Sequence, residues 1–146
     1  MTGMRFAIVI GRFYAELADR LVASAQAALR EAGCDAADVF DVPGAFDLPL
    51  AAQYAARSGR YAGIVCLGAV IRGETSHYDH VCAEAARGIQ DVGLRSGVPC
   101  SFGVLTVENM EQAVARAGGG KRDQGAQAVE AVLALAKIRE RFRAGC

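Results

Sequence analysis

Ile64-Val-Cys-Leu-Gly-Ala-Val-Ile71 runs straight into Arg72-Gly-Glu-Thr-Ser-His-Tyr-Asp-His80. The first segment is short, apolar and rich in β-branched residues, the pattern of a strand buried on both faces. The second passes Gly73 and predicts a helix starting near Ser76 or His77, with Val81, Ala85, Gly88, Ile89 and Val92 as its stripe. The same alternation recurs on either side. Apolar runs at residues 6–10, 39–42 and 101–106 predict further strands. Leu17, Leu21, Ala25, Ala28 and Leu29 fall on one helical face, and Gly33 is placed to stop that helix. Val129, Val132, Leu133 and Ala136 share a face near the other end, where Lys137, Arg139, Arg141 and Arg143 suit a solvated helix C-terminus. Strands alternating with helices imply a parallel sheet covered on both faces, hence a three-layer α/β domain. No internal repeat, low-complexity segment or linker interrupts residues 1–146.

A chain of 146 residues is enough for about one domain. Apolar residues make up 53% and charged residues 22%, which excludes a disordered chain. Lys plus Arg is 16 and Asp plus Glu is 16, so net charge is zero and nothing electrostatic favours a nucleic-acid or acidic-membrane partner. Neutrality leaves self-assembly open. The five cysteines, Cys34, Cys66, Cys82, Cys100 and Cys146, form no CxxC pair, and Cys66 and Cys100 sit in apolar runs as small hydrophobes. The opening MTGMRFAIVIGRF lacks a signal peptide's length and cleavage signature, and no run approaches the ~20 apolar residues of a membrane span. A reducing cytoplasm is the expected setting.

Ligands of open parallel sheets bind beyond the carboxyl ends of the strands, so residues 11–14, 43–49, 72–79 and 107–125 are the segments to inspect. Gly73, Glu74 and Thr75 precede a helix start, where exposed N–H groups and a hydroxyl make an anion site or simply a loop and cap. The segment is neither a P-loop nor a GxGxxG fingerprint. His77 beside it can take and give a proton near neutrality, unless it is only structural. His77 and His80 have no accompanying ligand set, so no metal site is expected. Pro43-Gly-Ala-Phe-Asp-Leu-Pro49 reads as a rigid turn into a helix with Phe46 as a core plug. Asp47 there either favours the helix dipole or binds polyol hydroxyls. Phe13 is structural, or a stacking platform if it faces a cleft. Gly118-Gly-Gly-Lys-Arg-Asp-Gln-Gly125 reads as a flexible loop with Asp123 as N-cap. Arg116, near the end of a helix starting around Glu108, could fork onto a phosphate or remain a surface charge. The residues alone reach a small-molecule site with an anion pocket and name no reaction.

Taken together, VPGAFDLP at residues 42–49, LGAVIRGETSHYD at 67–79 and GVLTVENMEQ at 103–112 resemble the 6,7-dimethyl-8-ribityllumazine synthase family, also called the riboflavin synthase beta-chain family. The resemblance covers nearly the whole chain. It implies a flavodoxin-like sandwich with a four-stranded parallel sheet in the order 2-1-3-4. It further implies condensation of 5-amino-6-(D-ribitylamino)uracil with 3,4-dihydroxy-2-butanone 4-phosphate, the penultimate step of riboflavin biosynthesis, without cofactor or metal. By position, Phe13 matches the residue stacked on the pyrimidine. Ala45, Phe46 and Asp47 match the segment holding the ribityl chain and ring, and Val70 a backbone contact to the ring. Gly73, Glu74 and Thr75 match the phosphate pocket, and His77 the general acid/base. Arg116 matches the phosphate-binding arginine and Phe102 a backbone contact, both from a neighbouring subunit. The implied assembly is a homo-oligomer built on pentamers, alone, paired or in icosahedral shells, with riboflavin synthase as a candidate partner.

Three positions depart from the family pattern. Tyr14 stands where many members carry Asn, and Asp47 replaces a more usual Glu. Gln124 lies where a Lys is typical beside the pyrimidine; an amide donates to a carbonyl but does not stabilise negative charge as a cation does. Lys121 and Arg122 are near enough in sequence to substitute. The alternative to an active synthase is therefore a weakly active or inactive relative that assembles and binds lumazines or flavins.

Overall fold

The structure, a computed structural model, describes residues 3–120 and 122–144. Strand β1 (Phe6–Gly11) leads through α1 (Ala15–Glu31) to β2 (Asp38–Val42), and a 3-10 turn (Ala45–Asp47) leads into α2 (Leu48–Arg57). Then follow β3 (Gly63–Ile71), α3 (His77–Ser96), β4 (Cys100–Val107), α4 (Met110–Arg116) and α5 (Gln124–Ala144). The strands form one parallel sheet in the order β2-β1-β3-β4, as the resemblance implied.

Strand alternation divides the core in two. Phe6, Ile8 and Ile10 of β1, with Val65 and Leu67 of β3, pack on Leu17, Leu21 and Leu29 of α1 and Val129 and Val132 of α5. Ala7 and Val9, with Ile64 and Cys66, face Leu48 and Ala52 of α2 and Ala85 and Ile89 of α3. The helical stripes anticipated for α1, α3 and α5 are the faces that are buried. At Gly103 the sheet and α5 come close together: a Cβ there would lie 2.6 Å from Leu67 Cδ2, 2.8 Å from Ala128 Cβ and 3.0 Å from the Cys66 carbonyl.

Two expectations need correction. The run at residues 39–42 is not sheathed on both faces: β2 is an edge strand, with Val39 38% and Phe40 42% exposed. It is fixed by Asp38, whose two carboxylate oxygens accept from Arg5 Nη2 at 2.9 and 3.0 Å and one of which accepts the Tyr61 hydroxyl at 2.8 Å. The helix expected around Glu108 starts at Met110, because Asn109 Oδ1 accepts the Gln112 N–H at 2.9 Å and caps it. Asp123 does cap α5, accepting from the Ala126 N–H at 3.0 Å. Its carboxylate also accepts the Ser24 hydroxyl at 2.6 Å, and Arg20 donates to the Gly118 carbonyl at 2.8 Å. The glycine loop is thereby tied to α1. Lys121 and Cys146 lie outside the described residues.

From β1 the chain crosses to β2 on one side, then returns over β1 to β3 on the other. This reversal leaves a crevice beyond the carboxyl ends of β1 and β3, where α/β sheets of this kind hold ligands.

Candidate functional site

A cavity of about 480 Å³ lies in that crevice. Phe13 and Tyr14 line it from the end of β1, Gly44, Ala45 and Phe46 from the turn after β2, Val70 from β3 and His77 from the start of α3.

Short-range constraints put each group there. Gly11 lets the chain after β2 come close, since a Cβ on it would stand 3.1 Å from the Gly44 carbonyl carbon and 3.3 Å from Ala45 N. The Arg12 N–H donates to the Val42 carbonyl at 2.9 Å, and its guanidinium binds Asp19 at 2.6 Å and Asp41 at 2.9 Å. With Arg12 held by those acids, Phe13 projects outward, 75% exposed, and meets Tyr14 edge-on with centroids 4.9 Å apart.

The 3-10 turn buries Ala45 and leads into buried Leu48, which leaves Phe46 62% exposed. Phe46 is therefore not the core plug its apolar character suggested. Asp47 Oδ2 accepts the Gly44 N–H at 3.1 Å and closes the turn across its base, without lining the cavity.

Gly73, Glu74 and Thr75 form an exposed loop between β3 and α3. The His77 N–H donates to Thr75 Oγ1 at 3.3 Å, so the hydroxyl marks where the helix begins. Tyr78, the next residue, and Cys82, a turn beyond it, are both pushed up from their ordinary pKa, chiefly by burial.

Phe102, Arg116 and Gln124 do not line this cavity. Phe102 is half-buried on the α2–α3 side of β4, and Gln124 opens α5. Arg116 Nη1 donates to the Gln112 carbonyl at 2.9 Å within α4. The cavity of one chain thus brings together aromatic rings, backbone and an imidazole.

Sequence reasoning passed over Arg72. Its Nε donates to Glu108 Oε2 at 2.6 Å and its Nη1 to Asp79 Oδ1 at 3.3 Å, while its guanidinium carbon sits 4.2 Å from the centre of the Tyr78 ring. Glu108 lies after β4, so only the fold brings that cluster together.

Topology and cavity define a doubly wound α/β protein with a small-molecule site at the switch point of its sheet. The family model for 6,7-dimethyl-8-ribityllumazine synthase matches residues 3–140, and the chain belongs to that family. A 6,7-dimethyl-8-ribityllumazine synthase of Nitratidesulfovibrio vulgaris (strain Miyazaki F) is 45% identical over 142 residues, 96% of this chain and 91% of that one. The synthase of that name from Desulfatibacillum aliphaticivorans is 43% identical over 143 residues, 97% of this chain and 92% of its own. Among the described residues, no helix is long and apolar enough to cross a membrane.

Proposed function

We propose that the protein is a lumazine synthase that joins 5-amino-6-(D-ribitylamino)uracil to 3,4-dihydroxy-2-butanone 4-phosphate, acting as one domain in a cytoplasmic homo-oligomer built on pentamers. The observation that carries the reading is the cavity in which Phe13, Ala45, Phe46, Val70 and His77 meet. An exposed ring beside a backbone-lined turn suits a flat heterocycle, because stacking needs a face and orientation needs a few polar groups. The pyrimidine stacks on Phe13, and its ribityl chain runs along Ala45, Phe46 and Asp47. Val70 offers backbone atoms to the ring.

The phosphate sits at Gly73, Glu74 and Thr75, where backbone N–H groups at the start of α3 favour an anion. The amine attacks the ketone to form an imine with loss of water, and phosphate leaves by elimination to give an enol that becomes a carbonyl. The ribityl-bearing amine attacks that carbonyl and closes the ring with loss of a second water. Holding two reactants together supplies several kcal/mol of the barrier lowering, about 7 or more in well-oriented systems. His77 carries protons between amine, carbinol and leaving group, worth a further ~10²–10⁴-fold.

Arg116, Phe102 and Gln124 complete the site from a neighbouring subunit. That none of the three lines the cavity within one chain supports a shared site. The direct test is lumazine formation from the two substrates above the uncatalysed rate. No product above that rate would overturn the reading.

Gln124 favours a second reading, a family relative that assembles and binds lumazines or flavins with little turnover. Bound lumazine without condensation would select it.

A further inference from the structure

The loop assigned above to a phosphate is an acidic neighbourhood. Glu74 is in it, Asp79 is on the first turn of α3, and Glu108 follows β4. Uncompensated carboxylates there would repel a dianion. Arg72 stands immediately before Gly73 and answers two of them, Glu108 at 2.6 Å and Asp79 at 3.3 Å. Its backbone N–H donates to the Val107 carbonyl at 2.9 Å, which fixes the chain where the loop begins. The guanidinium face lies on Tyr78, next to His77. A planar fork that stacks while binding two acids is chemistry a lysine ammonium does not reproduce.

We propose that Arg72 is a positioning residue for the phosphate substrate. It offsets part of the charge of Asp79 and Glu108 beside the 73–75 loop and holds the first turn of α3 against β4. The proposal rests on the phosphate reading of that loop and adds a role to a residue outside the cavity.

Steady-state kinetics of the assembled enzyme test it. Arg72→Gln should raise KM for the butanone phosphate about tenfold and leave KM for the pyrimidine within about twofold, since two carboxylates beside the phosphate loop lose their cation. The triple variant Arg72→Gln, Asp79→Asn, Glu108→Gln should recover most of that loss. A purely structural role would not be rescued by removing the two acids. A triple variant no better than the single one, or a parallel rise of both KM values, would overturn the proposal.

If Arg72→Gln does not assemble, Asp79→Asn with Glu108→Gln in the native background provides the reverse test. KM for the phosphate substrate should then fall, and an unchanged or higher value counts against the role. Inorganic phosphate separates the two levels of the argument. In the unmodified protein it should compete with the butanone phosphate; if it does not, the phosphate pocket itself is wrong and the proposal goes with it.

Discussion

In the proposed mechanism His77, which lines the cavity, carries protons while other groups position the substrates. His77→Ala should therefore lower kcat by about 10² to 10⁴ and leave measurable turnover. Unchanged kcat, with chemistry shown to limit the rate, would remove the acid/base role. Arg116→Ala should raise KM for the phosphate substrate far more than for the pyrimidine, because a charge-assisted fork is lost. Equal losses would contradict that assignment. Burial pushes the Cys100 thiol up to about 11, so at pH 8 only about one thiol in a thousand is ionised. Native Cys100 should alkylate much more slowly than in the unfolded chain, and mass spectrometry of the labelled peptide checks this. Comparable rates in both states would contradict it. Sequence placed Phe13 just beyond the first strand and His77 at a helix start, where the structure has them, just after β1 and at the first residue of α3. It misread Phe46, because apolar character does not say which residue of a tight turn faces outward. Arg72 was missed because one of its acids, Glu108, is brought to it only by the β3–β4 pairing.

At the scale of elements, close backbone approach sets where the site's walls stand. Gly103→Ala puts a methyl against Leu67, Ala128 and the Cys66 carbonyl, and should destabilise the protein by about 1–3 kcal/mol in denaturant unfolding. An unchanged midpoint would mean that α5 moves freely away from the sheet. The β2 edge is pinned by Asp38, whose carboxyl is held below its ordinary value first by the Arg5 guanidinium and then by Tyr61. A lowered native pKa stabilises above the ordinary carboxylate range, and that contribution fades as pH falls through the native value. Asp38→Asn should flatten the fall of thermal stability below about pH 4. Identical acid limbs in both proteins would contradict this. All four strands were legible to within a residue at each end, because buried parallel strands are continuous apolar runs. The exposure of β2 was not legible in its own residues, whose apolar run reads like those of the central strands; only the strand order implied by the family likeness puts it at the edge. The start of α4 depended on which of two neighbouring polar residues, Glu108 or Asn109, supplied the cap.

For the whole molecule, the central expectation is a site divided between subunits. The cavity is lined by Phe13, Phe46 and His77 among others, and Phe102, Arg116 and Gln124 are not in its lining. Mixing His77→Ala and Arg116→Ala chains before assembly should restore native sites at about one quarter of positions in a random one-to-one mixture, because each site draws one group from each chain. Activity equal to the average of the separate variants would place both groups in one subunit. Sedimentation of the unmodified protein should show a multiple of five chains, which the sequence implied only through family likeness. Catalysis remains the claim on which the rest depends. The measurement is steady-state lumazine formation from the two substrates, followed by absorbance beside a no-enzyme blank and the Gln124→Lys variant. Clear turnover by the unmodified protein is the expected result, with Gln124 able to serve where a cation is usual. A rate equal to the blank that Gln124→Lys raises would contradict it and mark a binding relative whose catalysis has lapsed.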